Sequence, residues 1–286
     1  MTSVSKWVAG ARPRTLVAAI APVMVATAFA GSQWSPGRAL LALTVSLSLQ
    51  IGVNYANDYS DGVRGTDSNR IGPTRLVASE LATASSVKNA SFISFFVAII
   101  AGTLLAFNTS VWLIAVGLIS ILAAWGYTGG KKPYGYLGFG ELAVFIFFGI
   151  VATVGSYYVQ VEQISSSALL LSIPMGSLSC AILVINNLRD LNQDKLVSKR
   201  TMAVKLGDAN TRIFYLLLLV LAQVSAAAAA SINNYALLTL LWLPLTYSAA
   251  NQVLKGASGK ELITILGKTS RLQFLLALTL AISLSI

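Results

Sequence analysis

The sequence has 286 residues, of which 56% are hydrophobic and only 10% are charged, and its mean hydropathy is +0.74. A soluble domain of this length neither needs nor tolerates so apolar a composition, so the chain is predicted to be an integral membrane protein. It contains no histidine and a single cysteine, Cys180, which excludes an intrachain disulfide and leaves zinc–thiolate sites and histidine acid–base chemistry unsupported.

Apolar runs close to the ~20 residues that cross a hydrocarbon core of ~30 Å follow one another along the chain. We predict an all-α integral membrane protein with one domain, residues 1–286. The first run follows basic residues, as in a secretory signal, but it leads directly into further spans, so cleavage is not expected. The nine predicted spans are 15–31, 39–56, 88–107, 110–128, 140–160, 166–187, 212–231, 235–253 and 271–286.

The basic residues are distributed unevenly about these spans. With nine crossings, the N-terminus and the loops after spans two, four, six and eight share one side, which holds all of the 20 lysines and arginines except Arg38. The positive-inside rule makes that side cytoplasmic, with the N-terminus inside and the C-terminus outside. The net charge of +10 is then explained by topology and anionic membrane lipids, and no nucleic-acid partner is expected. Among the acids, Glu162 alone is predicted on the outer side.

Oxygen-bearing side chains end the second and the sixth span at the predicted cytoplasmic face. One trio has the spacing i, i+4, i+7 and the other i, i+4, i+8, so each trio lies on one face of its helix. The two stripes are formed by Asn54, Asp58 and Asp61 and by Asn186, Asp190 and Asp194. Because the motifs recur four spans apart, we predict two related halves, residues 12–135 and 136–255, with a site between them.

Several carboxylates at the edge of hydrocarbon are costly unless cations neutralise them. Mg²⁺ suits such a site because it prefers oxygen ligands and bridges one or two carboxylates to substrate phosphates. Nearby basic residues can bind the outer oxygens of a diphosphate, namely Arg64, Arg75, Lys131, Lys199 and Arg200. A simpler alternative is that these segments are solvated loops whose aspartates balance neighbouring arginines. That alternative explains a single acid better than it explains two matched motifs.

Several stretches resemble those of one enzyme family. They are Arg12-Pro-Arg14-Thr15, Asn57-Asp58-Tyr-Ser-Asp61 continuing to Gly65-Thr66-Asp67, Gly72-Pro73-Thr-Arg75-Leu-Val-Ala-Ser79, Tyr127-Thr-Gly-Gly130, and Asn187-Leu-Arg189-Asp190 followed by Lys199-Arg200-Thr201. With the nine spans, they resemble the UbiA superfamily of intramembrane aromatic prenyltransferases, and more narrowly its 1,4-dihydroxy-2-naphthoate polyprenyltransferases. Lys131-Lys132 departs from that pattern, where a proline is expected near the first position, and leaves this loop's substrate contacts open.

The resemblance implies a UbiA-type bundle, built from two four-helix halves plus a ninth helix, in the cytoplasmic membrane. It implies transfer of a polyprenyl group from polyprenyl diphosphate to 1,4-dihydroxy-2-naphthoate, with loss of CO₂ and diphosphate, giving a demethylmenaquinone. The implied catalytic residues, which would also be the ligands of two Mg²⁺ ions, are Asp58, Asp61, Asp190 and Asp194. Asn54, Asn57 and Asn187 would be secondary ligands or would orient the aspartates.

Roles of the remaining residues stay open at the level of sequence. Arg12 and Arg14 either contact the acceptor's carboxylate or only set topology. Tyr127 either stabilises a cation or anchors the interface. The loop of residues 127–140, with Lys131, is either a lid over the bundle or an ordinary basic loop, and Asp67 and Arg75 could brace the loop after span two.

Two competing functions are considered. The first is a related prenyltransferase with another aromatic acceptor, such as 4-hydroxybenzoate, since the aspartate motifs do not depend on the acceptor. The second is a secondary transporter, which can also have two related halves. Transporters place ionisable groups near the bilayer midplane, whereas here the acids cluster at one face, so an interfacial enzyme is favoured.

Overall fold

The computed structural model describes residues 3–66, 72 and 74–286, and all regular structure in these ranges is helical. Ten helices are numbered here, and short 3₁₀ turns join several of them. They are α1 (Val4–Gly10), α2 (Val17–Phe29), α3 (Pro36–Val63), α4 (Ala84–Asn108), α5 (Leu113–Gly126), α6 (Gly140–Val161), α7 (Ser166–Leu196), α8 (Met202–Ala228), α9 (Leu243–Leu254) and α10 (Gly259–Ser285). The predicted all-α class is confirmed for this part of the chain.

Six helices of the described chain are long and apolar enough to cross a membrane, namely α3, α4, α6, α7, α8 and α10. A seventh span results if the pair Val4–Thr15 and Val17–Phe29, bent by 54°, is counted as one. The predicted spans 110–128 and 235–253 coincide with shorter elements. These are α5, with 14 residues, and a 3₁₀ helix, Asn234–Trp242, that continues into α9. The count of nine crossings therefore stays a prediction, as does the division into two related halves.

Local sequence signals explain where several helices begin. Pro36 occupies the first turn of α3, where its missing N–H leaves no helical hydrogen bond unmade. Thr83 and Thr201 cap α4 and α8 by accepting hydrogen bonds from the backbone N–H groups of Ser86 and Val204. The helix α10 begins with a capping box between Ser258 and Glu261.

The helix α7 is the centre of the bundle. In its most apolar 18-residue window 78% of the residues are buried, against 22% for α6. Its Met175, Leu178 and Ile185 form one core cluster with residues of α2, α8 and α10. The helix α6 contacts α7 closely where Gly149 faces Gly176, and the segment Phe145–Val151 of α6 is π-helical there. This packing fixes the position of the second aspartate motif, which ends α7.

At the opposite end of the bundle from the aspartates, Arg38 and Glu162 form an ion pair with a 2.9 Å separation. The Arg38 guanidinium also donates to the backbone carbonyls of Asn108, Val159 and Gln160, so it joins the start of α3 to the ends of α4 and α6. The prediction that Arg38 and Glu162 lie on the same side of the bundle is confirmed. Which side of a membrane that end faces stays a prediction.

Candidate active site

The two aspartate motifs meet at one end of the bundle. Asp61, near the end of α3, and Asp194, near the end of α7, are 2% and 6% exposed. The Lys199 ammonium lies between them, 3.5 Å from Asp61 Oδ2 and 4.0 Å from Asp194 Oδ1. Lys199 thus contacts an aspartate 138 positions away in sequence, and the two motifs share one cation. The two motifs therefore lie next to each other at this end of the bundle, and their role as a site stays a prediction.

The turn after α7 places Lys199 in this position. Ser198 has a φ of 57°, in the left-handed region, and the Lys199 backbone N–H donates to the Asp194 carbonyl at 2.9 Å. The chain then reaches Thr201, which caps α8 and whose hydroxyl donates to Asp194 Oδ2 at 3.5 Å. A single turn therefore ends α7, starts α8 and gives Asp194 two partners.

The other two aspartates have different surroundings. Asp58 is buried, and its two carboxylate oxygens accept hydrogen bonds from the backbone N–H groups of Leu76 and Val77, at 2.8 and 3.0 Å. Asp58 therefore braces the loop between α3 and α4. Asp190 accepts two hydrogen bonds from the adjacent Arg189, at 2.7 and 2.8 Å. Each carboxylate oxygen of Asp58 has a second lone pair in addition to the one that accepts its backbone hydrogen bond.

Tyr136 joins the loop between α5 and α6 to the first motif. Its hydroxyl donates to Asp61 Oδ1 at 2.5 Å, and its ring lies 4.7 Å from the Lys199 ammonium and 5.3 Å from the Arg64 guanidinium. Burial, followed by the charge of Asp61, raises the pKa of Tyr136 above its ordinary value. Tyr136 therefore remains a neutral hydrogen-bond donor to Asp61 at physiological pH.

The same loop lies across the end of the bundle. Arg64 donates to the carbonyls of Thr128 and Gly130, and Lys205 donates to the Leu137 carbonyl at 2.6 Å. The Arg200 backbone N–H donates to the Tyr136 carbonyl at 3.0 Å. Lys131 and Lys132 are exposed on the outer surface of this loop. The loop thus covers the aspartates, and its role as a moving lid stays a prediction.

The predicted asparagines each have a defined partner. The Asn54 amide donates to the Ala11 carbonyl at 2.8 Å and to the Thr15 hydroxyl at 3.1 Å. Asn57 accepts from the Thr128 hydroxyl at 2.8 Å, and Asn187 donates to Glu141 at 2.9 Å. Asn54 therefore fixes the segment before α2, whereas Asn57 and Asn187 lie beside the aspartates.

An apolar cavity of about 280 Å³ begins beside the motif asparagines and extends into the bundle. Its polar end is formed by Arg12, Asn57, Tyr127 and Asn186, each next to or within a predicted motif. Beyond that end the cavity is lined mainly by apolar side chains of α3, α4, α5 and α6. They include Leu49, Leu105, Val116, Phe147, Val151 and Val159. The cavity suits a long hydrocarbon whose polar head lies beside the motif asparagines.

The remaining predicted residues lie around this site. Arg12 lines the cavity and donates to the Asn54 carbonyl at 3.3 Å. Arg75 is buried in the loop after α3, whereas the Arg14 and Arg200 side chains are exposed. Asp67, with its predicted bracing role, lies outside the described residues.

Sequence reasoning missed three residues of this region, Thr128, Tyr136 and Glu141. Glu141 is 4% exposed and begins α6, an otherwise apolar helix. A lone acid in a membrane-spanning segment is a signal that could have identified it. Tyr136 and Thr128 carry no such signal because their contacts depend on how the loop folds back onto α3.

The donor set fits Mg²⁺ in one particular way. Within residues 3–66, 72 and 74–286, no three acidic side chains lie close enough together to form an all-protein metal cage. Two separate aspartate-bearing helix ends with neighbouring amide oxygens match an ion held by one or two carboxylates, waters and substrate phosphates. The carboxylate and amide oxygens present are also the hard ligands that Mg²⁺ prefers.

Together, the bundle, the apolar cavity and the paired motifs define a helical membrane protein with an acidic site at one end of the bundle and an apolar cavity that begins at the neighbouring motif asparagines. The model of the UbiA prenyltransferase family matches residues 19–281. The 1,4-dihydroxy-2-naphthoate octaprenyltransferase of Mycobacterium tuberculosis is 49% identical, over 98% of this chain and 97% of that protein. The protein of the same description from Escherichia coli is 38% identical, over 87% of this chain and 85% of that protein.

Solved structures show the same fold. A UbiA homolog from Archaeoglobus fulgidus, bound to DMAPP and Mg²⁺, matches with a TM-score of 0.64 at 12% identity, over 96% of this chain and 99% of that one. The chain belongs to the UbiA prenyltransferase family. The resemblance noted from the sequence motifs is confirmed.

Proposed function

We propose that this protein transfers a polyprenyl group from polyprenyl diphosphate to 1,4-dihydroxy-2-naphthoate, with release of CO₂ and diphosphate, to give a demethylmenaquinol, the hydroquinone form of a demethylmenaquinone. The observation that carries the proposal is the Lys199 ammonium between Asp61 and Asp194, at the end of the bundle where asparagines of both motifs, Asn57 and Asn186, line the apolar cavity. The names of the relatives from M. tuberculosis and E. coli support this acceptor. The A. fulgidus homolog, which binds DMAPP and Mg²⁺, supports a metal–diphosphate site.

In this proposal the C1–O bond of the donor breaks and the electron pair leaves with the diphosphate. Asp58, Asp61, Asp190 and Asp194 would hold magnesium, which would supply positive charge to neutralise that leaving group. We expect two ions, one at each motif. Lys199 lies beside both motifs and is placed to donate to a diphosphate oxygen.

The apolar cavity holds the hydrocarbon tail and keeps water away from the allylic carbon. This matters because water would capture the carbocation in competition with the acceptor. The naphthoate carbon that carries the carboxylate attacks C1, and the carboxylate then leaves as CO₂. Arg12 lines the polar end of the cavity and is the proposed partner of the acceptor's carboxylate before that loss.

We further propose that the bundle crosses the cell membrane nine times, with the site and the N-terminus in the cytoplasm and the C-terminus outside. The charge distribution supports this topology, since the aspartates and nearly all basic residues share one end and Arg38 pairs with Glu162 at the other. An amphipathic donor can then enter from the bilayer while its diphosphate stays at the cytoplasmic surface.

The direct test incubates purified protein in lipid with Mg²⁺, a labelled polyprenyl diphosphate and 1,4-dihydroxy-2-naphthoate, and identifies the product by mass spectrometry. A parallel reaction contains 4-hydroxybenzoate. Asp190→Ala should abolish the product, whereas Asp208→Ala, a change at an ion-paired aspartate outside the site, should retain it. Mg²⁺-dependent product from the naphthoate alone supports the proposal. Product from 4-hydroxybenzoate instead would refute the acceptor, and no product from either would refute the reaction.

A further inference from the structure

Glu141 is a buried acid that the mechanism above does not use. It lies in the first turn of α6, is 4% exposed, and its Oε1 accepts a hydrogen bond from Asn187 Nδ2 at 2.9 Å. Its Oε2 is also buried and has no hydrogen-bond partner in the described part of the chain. Burying a carboxylate with one oxygen left without a hydrogen bond is costly, and this cost indicates a functional reason for its presence.

Backbone contacts hold Glu141 in place. The Cys180 thiol of α7 donates to the Glu141 carbonyl at 3.0 Å, two helical turns before Asn187. The two polar contacts therefore join α6 to α7 along the same interface as the close approach of Gly149 and Gly176. Glu141 is thus held against α7 at both its main chain and its side chain.

The contact determines which way the Asn187 amide points. A carboxylate oxygen can only accept here, so the NH₂ group of Asn187 faces Glu141 and its carbonyl oxygen faces away. Asn187, Asp190 and Asp194 have the spacing i, i+3, i+7 and share one face of α7. The Asn187 oxygen is thereby made available as an acceptor on the face that carries the aspartates.

Tyr127 connects this pair to the centre of the site. A Cβ built on Gly140 would lie 3.3 Å from the Tyr127 hydroxyl oxygen, so that hydroxyl is next to the start of α6. The Tyr127 hydroxyl also lies within electrostatic range of Glu141, Asp61 and Asp194. Glu141 therefore borders the same polar region as both aspartate motifs.

We propose that Glu141 is a positioning residue that acts through Asn187, holding its amide oxygen toward the Mg²⁺–diphosphate site. The inference rests on the proposed function in requiring such a site, but it does not depend on the acceptor. Outer partners that orient metal ligands change metal affinity by about 10- to 100-fold when they are removed. Glu141→Ala should accordingly weaken Mg²⁺-dependent binding of inorganic diphosphate by about tenfold or more.

The test is a double-mutant cycle read by calorimetric titration of inorganic diphosphate into purified protein at fixed Mg²⁺. If Glu141 acts through Asn187, Glu141→Ala weakens binding in the wild-type background but adds nothing in the Asn187→Ala background. Gln160→Ala is the matched control, because Gln160 is a buried polar residue at the other end of α6 and should leave binding unchanged. Additive losses in the double variant would overturn the inference, as would unchanged binding in Glu141→Ala.

A donor–acceptor exchange provides a second test that preserves side-chain size, in case Glu141→Ala does not fold. Asn187→Asp should weaken binding because two carboxylates would then face each other. Adding Glu141→Gln supplies an amide donor again and should restore much of the affinity. Failure of this rescue, with both proteins folded, contradicts the inference.

The outcome is separable from that of the proposed reaction. If the double-mutant cycle shows that Glu141 acts through Asn187 but no naphthoate product forms, the positioning role is retained and the acceptor assignment is refuted. If the wild-type protein does not bind Mg²⁺ and diphosphate at all, both the metal–diphosphate site and the positioning role are refuted.

Discussion

The close contact between α6 and α7 predicts an asymmetry between two glycines of the same helix. A Cβ on Gly149 would lie 2.8 Å from the Gly176 Cα and 3.1 Å from the Ser172 carbonyl oxygen. Both are backbone atoms, so no side-chain rotation relieves the clash. A Cβ on Gly155 would meet no atom within 4 Å. Gly149→Ala should therefore destabilise the protein, and Gly155→Ala should not.

The magnitude follows from the contact distances. Optimal carbon–carbon separation is ~3.5–4.0 Å, so α6 must move from α7 by roughly 1 Å to admit the new methyl group. Overpacking of this kind costs about 1–3 kcal/mol. Alanine is favoured over glycine in a helix by up to ~1 kcal/mol, and both variants share that gain. The difference between the two variants therefore isolates the clash, at about 1–3 kcal/mol.

The assay is the thermal unfolding midpoint of the two variants in the same detergent. Each kcal/mol of lost stability lowers the unfolding midpoint by about 2–4 °C, so Gly149→Ala should unfold several degrees below Gly155→Ala. Equal midpoints would show that α6 and α7 are not in close contact at Gly149 and Gly176. The packing argument for the position of Glu141 would then be refuted as well.

Three further predictions concern charge, pH and topology. Lys199→Met removes the cation between the two acidic motifs and should raise the KM for the donor by about tenfold to a hundredfold, because a charge-assisted hydrogen bond is worth ~1.5–3 kcal/mol. Steady-state kinetics checks this with Lys132→Met as the control, and a wild-type KM in both variants would contradict the prediction. Burial raises the pKa of Tyr134 to about 12, so its contribution to stability is complete below pH 10 and is lost as the pH rises from there toward 12. Tyrosinate absorbance of the wild type minus that of Tyr134→Phe should show this titration, and a midpoint at 10.0 would refute the burial. In a Cys180→Ala background, an impermeant thiol reagent should label Glu162→Cys from outside the cell and Lys132→Cys only after lysis, and labelling of both from one side would refute the topology.

Much of the architecture was predictable because it depends on short-range patterns. Hydropathy over about 20 residues marks a span, and helical periodicity places Asn54, Asp58 and Asp61 on one face. Alternation of spans predicted that Arg38 and Glu162 would share one end, and the structure pairs them. The same pattern predicted spans at 110–128 and 235–253, where the structure has the shorter helices α5, with 14 residues, and α9, with 12.

The sequence alone did not distinguish the roles of individual charged residues. Arg64 and Lys199 are both basic residues near an aspartate motif, and the sequence grouped them as diphosphate ligands. The structure directs Arg64 to the loop carbonyls of Thr128 and Gly130 and places Lys199 between Asp61 and Asp194. A long flexible side chain reaches partners several ångströms away, so its sequence position does not select among them.

The sequence by itself determined that the protein is a helical membrane protein with two oxygen-rich helix ends and a strong charge asymmetry. These properties follow from composition and from interactions between residues within one or two helical turns. Only the tertiary structure decided that Tyr136 donates to Asp61, 75 residues away, and that Glu141 receives the Asn187 amide, 46 residues away. Such contacts depend on how the helices cross and on how closely α6 approaches α7, and hydropathy and spacing along the chain do not specify either quantity.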